Sequence, residues 1–227
     1  MKLSNKILIG FFGLILLYMT VAFTEIRLKG DLNSMDNSNS IAETADIQSF
    51  SYLILPEMEQ RIDIIGSDQA KLEVRSISGD LLQKVKYQIV GDTLTITPPA
   101  LEENENVKIT LYVKKNYFRG MTVNSPGMRI DSLDQQELNI IQNSGWIRML
   151  DHNKVNQLNI KASNEGSLNI EGMELDLLNV QLDDSKVVSN AGIKILEGSI
   201  SNESFLYLGS TDEIRMKKDD SSRIDLY

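Results

Sequence analysis

Few side chains in this 227-residue sequence are of a type and spacing that could do chemistry. His152 is the only histidine and lies in the polar run Asp151-His152-Asn153-Lys154. A nucleophilic triad or imidazole-based site would have to be built on that one ring, and its surroundings read instead as a solvated turn. With no cysteine in the chain, thiolate zinc sites, thiol nucleophiles and disulfides are excluded together. The signature strings of phosphate-cradling loops, dinucleotide folds, zinc hydrolases and serine hydrolases do not occur. Asp183-Asp184 and Asp219-Asp220 are the carboxylate pairs that could act on a sugar ring. Both fall in turn-like runs, where Asp is favoured because it bonds to nearby backbone N–H groups. The expected catalytic and metal sets are therefore empty, and no cofactor is expected.

Residues suited to binding are easier to find. Aligning Gly145 with Gly166 turns Ile147 and Met149 inward and leaves Trp146 and Arg148 outward. An exposed indole beside a guanidinium suits sugar stacking or a protein hot spot, whereas a shift of one residue would bury the ring. Asn139, Asn159 and Asn179 recur in one phase, so stacking in register would line them into an amide ladder at about 4.8 Å spacing. Such a ladder can satisfy itself or present a stripe to a sugar or partner.

These residues need an element that repeats. Leu138-Asn139-Ile140, Leu158-Asn159-Ile160 and Leu178-Asn179-Val180 recur every 20 residues, and Leu196 and Ile214 continue the series at 18. Between them lies a second apolar alternation, at Ile147/Met149, Leu168/Ile170, Val187, Phe205/Tyr207 and Ile224/Leu226. Each is preceded by a turn cluster such as Asn143-Ser144-Gly145 or Asn202-Glu203-Ser204. Two short strands and two turns per repeat make one coil of a parallel β-solenoid, in which neighbouring coils bury the inward residues and pair the strand edges. A sandwich of hairpins gives similar alternation, but does not explain the triplet spacing. Upstream, residues 47–117 alternate with period two through Ile62/Ile64, Leu72/Val74, Leu94/Ile96 and Val107/Ile109/Leu111/Val113. Gly91-Asp92 marks a hairpin there, so these strands are expected to be partly antiparallel.

The N-terminal apolar segment, the run of strands and the turns at Ser144-Gly145 and Glu165-Gly166 resemble the bacterial family of auto-transporter adhesins with a head GIN domain. Across residues 47–227 the resemblance implies an all-β, right-handed parallel β-solenoid of Bacteroidetes-type cell envelopes.

Residues 7–24 are uncharged throughout and as a helix would span roughly 27 Å, close to the hydrocarbon thickness of a bilayer. They are expected to form a signal-anchor behind a cytoplasmic tail, residues 1–6. Cleavage after Thr20-Val21-Ala22 is the alternative. Residues 25–46 read as a linker, 47–117 as an N-terminal β region and 118–227 as solenoid coils. Lys2 and Lys6 are the basic residues before position 25, so residues 25–227 carry 21 basic against 32 acidic groups. That balance repels phosphate polymers. The expectation is a single-pass inner-membrane protein with its bulk in the periplasm, acting as a noncatalytic, adhesin-like interaction or structural module. Its expected partners are the membrane, through the helix, and an envelope protein or glycan, with nucleic acid excluded. The alternative is a carbohydrate-active enzyme, a polysaccharide lyase or glycosidase, on the same scaffold. Lys217, Lys218, Asp219, Asp220 and Arg223 are expected to protect the last coil as a free monomeric end, with a homodimer as the alternative.

Overall fold

Period-two alternation becomes structure when each strand can turn its apolar residues to a shared core and lend its edges to neighbours. The computed structural model describes residues 12–13, 15–20, 40–101, 107–124 and 127–227, within two compact units, Met1–Ser40 and Ile41–Tyr227. In the first unit, residues 12–13 and 15–20 are helical, and the Thr20 hydroxyl donates to the Leu16 carbonyl at 2.7 Å. No helix among the described residues is long and apolar enough to cross a membrane. The expected tail and most of the expected 7–24 anchor lie outside the described residues.

The second unit is all-β. Its early strands are β1 (Ile41–Asp46), β2 (Tyr52–Leu55), β3 (Ile62–Ser67), β4 (Lys71–Ser76), β5 (Lys86–Val90), β6 (Thr93–Thr97) and β7 (Val107–Lys114). Six two-strand turns follow. They are β8 (Gly120–Val123) with β9 (Gly127–Asp131), β10 (Asp134–Gln142) with β11 (Trp146–Met149), and β12 (Lys154–Ala162) with β13 (Ser167–Ile170). The last three are β14 (Glu174–Asp183) with β15 (Lys186–Ser189), β16 (Gly192–Ser201) with β17 (Phe205–Leu208), and β18 (Thr211–Lys218) with β19 (Arg223–Leu226).

The two strands of each turn enter different sheets. The first sheet, sheet A, runs β1-β4-β7-β3-β9-β11-β13-β15-β17-β19, and sheet B runs β18-β16-β14-β12-β10-β8-β2-β6-β5. From β8 onward every pairing within a sheet is parallel, as a solenoid requires. The repeat is realised in register: Leu138 pairs with Leu158, Leu158 with Leu178, Leu178 with Leu196 and Leu196 with Ile214. The four leucines are fully buried, while Ile214 on the outermost strand of sheet B is 42% exposed. Each buried leucine contributes roughly 1.5–3 kcal/mol, and each depends on the coil above and below to stay dry. The turn clusters supply the reversals: Gly145, Asn164, Glu165, Asp184, Asn202 and Glu203 all have positive φ.

The early region is woven into the same stack. β2 pairs in parallel with β8 and β3 with β9, while β6 and β7 lie on their other sides, also parallel. Antiparallel pairing is confined to the end of the stack, where β4 covers β7, β1 covers β4 and β5 covers β6. β5 and β6 close through Gly91-Asp92, with Gly91 at φ +59°. Ile41–Asp46, expected within the linker, is instead strand β1. It is held by backbone pairing to β4, and the Glu43 carboxylate accepts from the N–H groups of Leu81 and Leu82 at 2.9 and 3.1 Å. Its side chains are mostly exposed, so it carries no apolar alternation to read.

Candidate functional site

On β11, Ile147 and Met149 are buried and the intervening Trp146 and Arg148 point outward from sheet A. Register places Trp146 opposite Gly127 and Arg148 opposite Arg129 on β9, and Arg129 opposite Asp63 on β3. The indole is 41% exposed and lies against Gly127, where an added Cβ would come within 2.8 Å of its Cε2 and Cζ2. The Arg61 guanidinium carbon is 5.4 Å from the ring centroid, within cation–π range. Arg148 is ion-paired through Nε with Glu171.

Beside the indole, Asp63 is 1% exposed although it faces outward, because long basic side chains roof it over. Arg129 Nη2 lies 2.7 Å, Lys108 Nζ 3.1 Å and Arg61 Nε 3.3 Å from its carboxylate. A buried carboxylate persists only with such compensation. Thr110 stands opposite Asp63 on one side and opposite Glu73 on the other. Glu73 accepts from Arg75 Nε at 2.6 Å and from the Tyr112 hydroxyl at 3.2 Å. Burial, reinforced by the Glu73 charge and hydrogen bond, pushes the Tyr112 phenol above its ordinary value. The hydrogen bond to Glu73 likewise raises the Arg75 guanidinium.

Towards β19 the same surface becomes aromatic. Tyr207 stacks on Phe205 with centroids 6.1 Å apart and on Tyr227 at 4.4 Å, and Lys186 Nζ is 5.5 Å from the Phe205 centroid. Tyr227 also edges a shallow hollow of about 290 Å³ with Asp151, Asn169, Glu171 and Asn190.

The asparagines occupy the other sheet. Asn139, Asn159 and Asn179 are in direct register on β10, β12 and β14. Asn159 Nδ2 donates to Asn139 Oδ1 at 2.9 Å, and both amides also donate to Glu137 Oε1, at 2.9 Å from Asn159 and 3.2 Å from Asn139. The ladder thus satisfies part of its own bonding. Together with Ile141, Lys161 and Gln181 the three line a shallow hollow of about 190 Å³. The five residues singled out from the sequence therefore divide between two sheets and do not form one site.

His152 is exposed, with Nδ1 3.2 Å from Asp131 Oδ1. Asp183 accepts from Asn202 Nδ2 and from Ser201 Oγ, and Asp219 from the N–H groups of Asn202 and Ser222, so both paired-carboxylate runs are engaged in turn bonding. Among the described residues no group of three or more His, Cys, Asp or Glu side chains could hold a metal ion. Sequence reading missed Arg61, Asp63, Lys108 and Arg129. Alternation puts Arg61 and Asp63 on one face, but their meeting with residues 108 and 129 depends on the stacking order of non-successive strands. It also misplaced Phe205 and Tyr207, read in the same alternation as Ile147 and Met149. Register pairs Leu206 with Val187 and Ile224, so Leu206 and Leu208 take the buried positions and Phe205 and Tyr207 turn outward beside Lys186 and Tyr227.

No protein-family model matches the chain, and no curated protein sequence matches it. Solved structures do. A candidate adhesin from Bacteroides fragilis NCTC 9343 superposes with a TM-score of 0.58 at 12% identity, covering 84% of this chain and 98% of that one. A candidate adhesin from Parabacteroides distasonis ATCC 8503 gives 0.43 at 12% identity, covering 83% and 92%. A candidate lipid-binding protein from the same strain gives 0.43 at 12%, covering 84% and 98%. The first of these likenesses shows that the chain shares its β-solenoid fold with that Bacteroides fragilis protein.

Proposed function

We propose that the chain is a noncatalytic, adhesin-like interaction module of the bacterial cell envelope, tethered to the inner membrane by residues 7–24 with its solenoid in the periplasm. The observation that carries this reading is the outer face of sheet A, where an exposed Trp146 lies beside Arg61 on a rigid stack of strands. Rings and guanidinium groups held on an ordered sheet bind with little loss of side-chain freedom. Membership of the head GIN domain family belongs to the same proposal and draws its support from the shared solenoid fold.

The enzyme alternative draws on the hollow flanked by Asp151 and Glu171. Glu171, however, is taken up in an ion pair with Arg148 and is not free to reach a substrate oxygen. The test is retention of beads carrying the full chain on immobilised envelope glycans and envelope proteins. Retention that falls in Trp146→Ala, without release of reducing or unsaturated sugar ends, is expected. Release of such ends would transfer the chain to the lyases or glycosidases, and absence of retention on every surface would remove the interaction reading.

A further inference from the structure

The two outward rows of sheet A that carry Trp146 and Arg148 have a charge opposite to that of the whole molecule. Arg61, Arg129, Arg148, Lys186 and Arg223 stand there against Asp63 and Asp225, in a chain of net charge −9. Within one row the paired positions run Gly127, Trp146, Ser167, Lys186, Phe205, Arg223, one per coil. Arg61 continues the line past Gly127, where its guanidinium meets the indole. Cations and aromatic rings therefore lie interspersed along one seam, with Lys186 against Phe205 repeating the pairing of Arg61 with Trp146. Lys186 forms no ion pair among the described residues, so its charge is available to a ligand.

We propose that this seam of Arg61, Trp146, Lys186, Phe205 and Arg223 binds an extended acidic polysaccharide, its carboxylates on the cations and its sugar faces on the rings. The proposal rests on the interaction-module reading and names the ligand class for it. Coils follow one another at about 4.8 Å, so charge and ring recur along a line suited to a polymer with repeating acidic groups. Sugar C–H faces match an indole that lies flat over Gly127 and leaves its outer part in solvent. The denser charge of a nucleic acid, about one per 1.7 Å of duplex axis, meets repulsion from the acidic remainder of the molecule, which the lower charge density of a polyuronate reduces.

Trp146 is the only tryptophan, so its fluorescence in the full chain, held in nonionic detergent, reports on the seam directly. Alginate is expected to shift the emission in a salt-sensitive manner, and dextran to leave it unchanged. Lys186→Glu and Trp146→Ala, the latter followed by affinity electrophoresis, are expected to weaken alginate binding by about tenfold each, the scale of one lost stacking or charge contact. Lys186→Gln serves as a milder second variant, and unchanged thermal melts ensure that folding is not the cause. Equal binding of dextran, alginate binding indifferent to all three substitutions, or tighter binding of oligothymidylate would each overturn the proposal. If alginate fails while the beads are still retained on envelope material, the ligand assignment falls alone. If both fail, the module reading falls with it.

Discussion

Trp146 and Gly127 are partners across neighbouring coils: the indole of one occupies the space that any side chain at the other would need. Gly127→Ala should displace the ring. Because the ring is partly exposed it can move aside, so the stability cost is expected to stay near the lower end of the roughly 1–3 kcal/mol of overpacking. A changed emission maximum with a urea midpoint lowered by only about 0.3–1 M, the equivalent of about 1 kcal/mol, is the outcome that supports this geometry.

Asp63→Asn should cost more. It removes the negative charge shared by Arg129, Lys108 and Arg61 and leaves them crowded together. Their side chains are a third to a half exposed, so solvent screens part of the effect. The loss is expected at about 2–3 kcal/mol, below the roughly 3–5 kcal/mol typical of a fully buried pair. Urea unfolding of the variant measures it, and a loss under about 0.5 kcal/mol would mean that the carboxylate is not held as described.

Leu158→Asp should be among the most damaging single changes. The side chain is fully buried, between Leu138 and Leu178 in sheet B, and an unpaired carboxylate there costs several kcal/mol. Leu158→Ala provides the apolar comparison, with about 2–5 kcal/mol expected from lost contacts and the remaining cavity. Thermal unfolding followed by circular dichroism distinguishes the two.

Gly198 tests the fold in another way. Its φ is +128°, and a Cβ would approach the Val180 carbonyl oxygen to 1.9 Å. Gly198→Ala should therefore destabilise well beyond the roughly 1 kcal/mol stabilisation that a glycine-to-alanine change brings at a permissive site. An equal or higher melting temperature would contradict the close approach of β14 and β16.

Asp219 gives a pH signature. Hydrogen bonds from Ser222 through its N–H, from the Asn202 N–H and from the Ser221 hydroxyl hold its carboxyl down to about 2, against an ordinary value of 3.8. A depressed folded value means that its contribution is complete above about pH 3.8 and is lost as pH falls towards 2. Asp219→Asn should therefore reduce the difference in stability between pH 5 and pH 2. NMR titration of the carboxyl carbon gives the value directly.

The coils from residue 134 onward could be read from the sequence because each contacts the coil one repeat away. A repeat of Leu-Asn-aliphatic at a spacing of 20 is therefore also a list of spatial neighbours, and Leu138, Leu158 and Leu178 meet as that spacing says. The outward phase of Trp146 followed from the same alignment. The cluster around Asp63 was hidden because its partners, residues 108 and 129, are brought in by strands that the intervening chain does not join consecutively. β1 was hidden because an edge strand bonded through its backbone needs no apolar pattern. The asparagines were placed in the right register, but no sequence signal said that they and Trp146 belong to different sheets.

The placement of β6 and β7 on the far side of β2 and β3 also bears on how the chain assembles. β2 meets β8 across the Tyr52–Gly120 pairing, with β3 to β7 folded between, whereas β10 meets β12 only one repeat on. Closing the longer loop costs more chain entropy before any pairing rewards it. The early strands are thus expected to form the slow step of folding, with the later coils adding to that platform one at a time in the nearest-neighbour manner of repeat proteins. A fault in β12 would fray the stack locally, while a fault in β3 would deny every later coil its template.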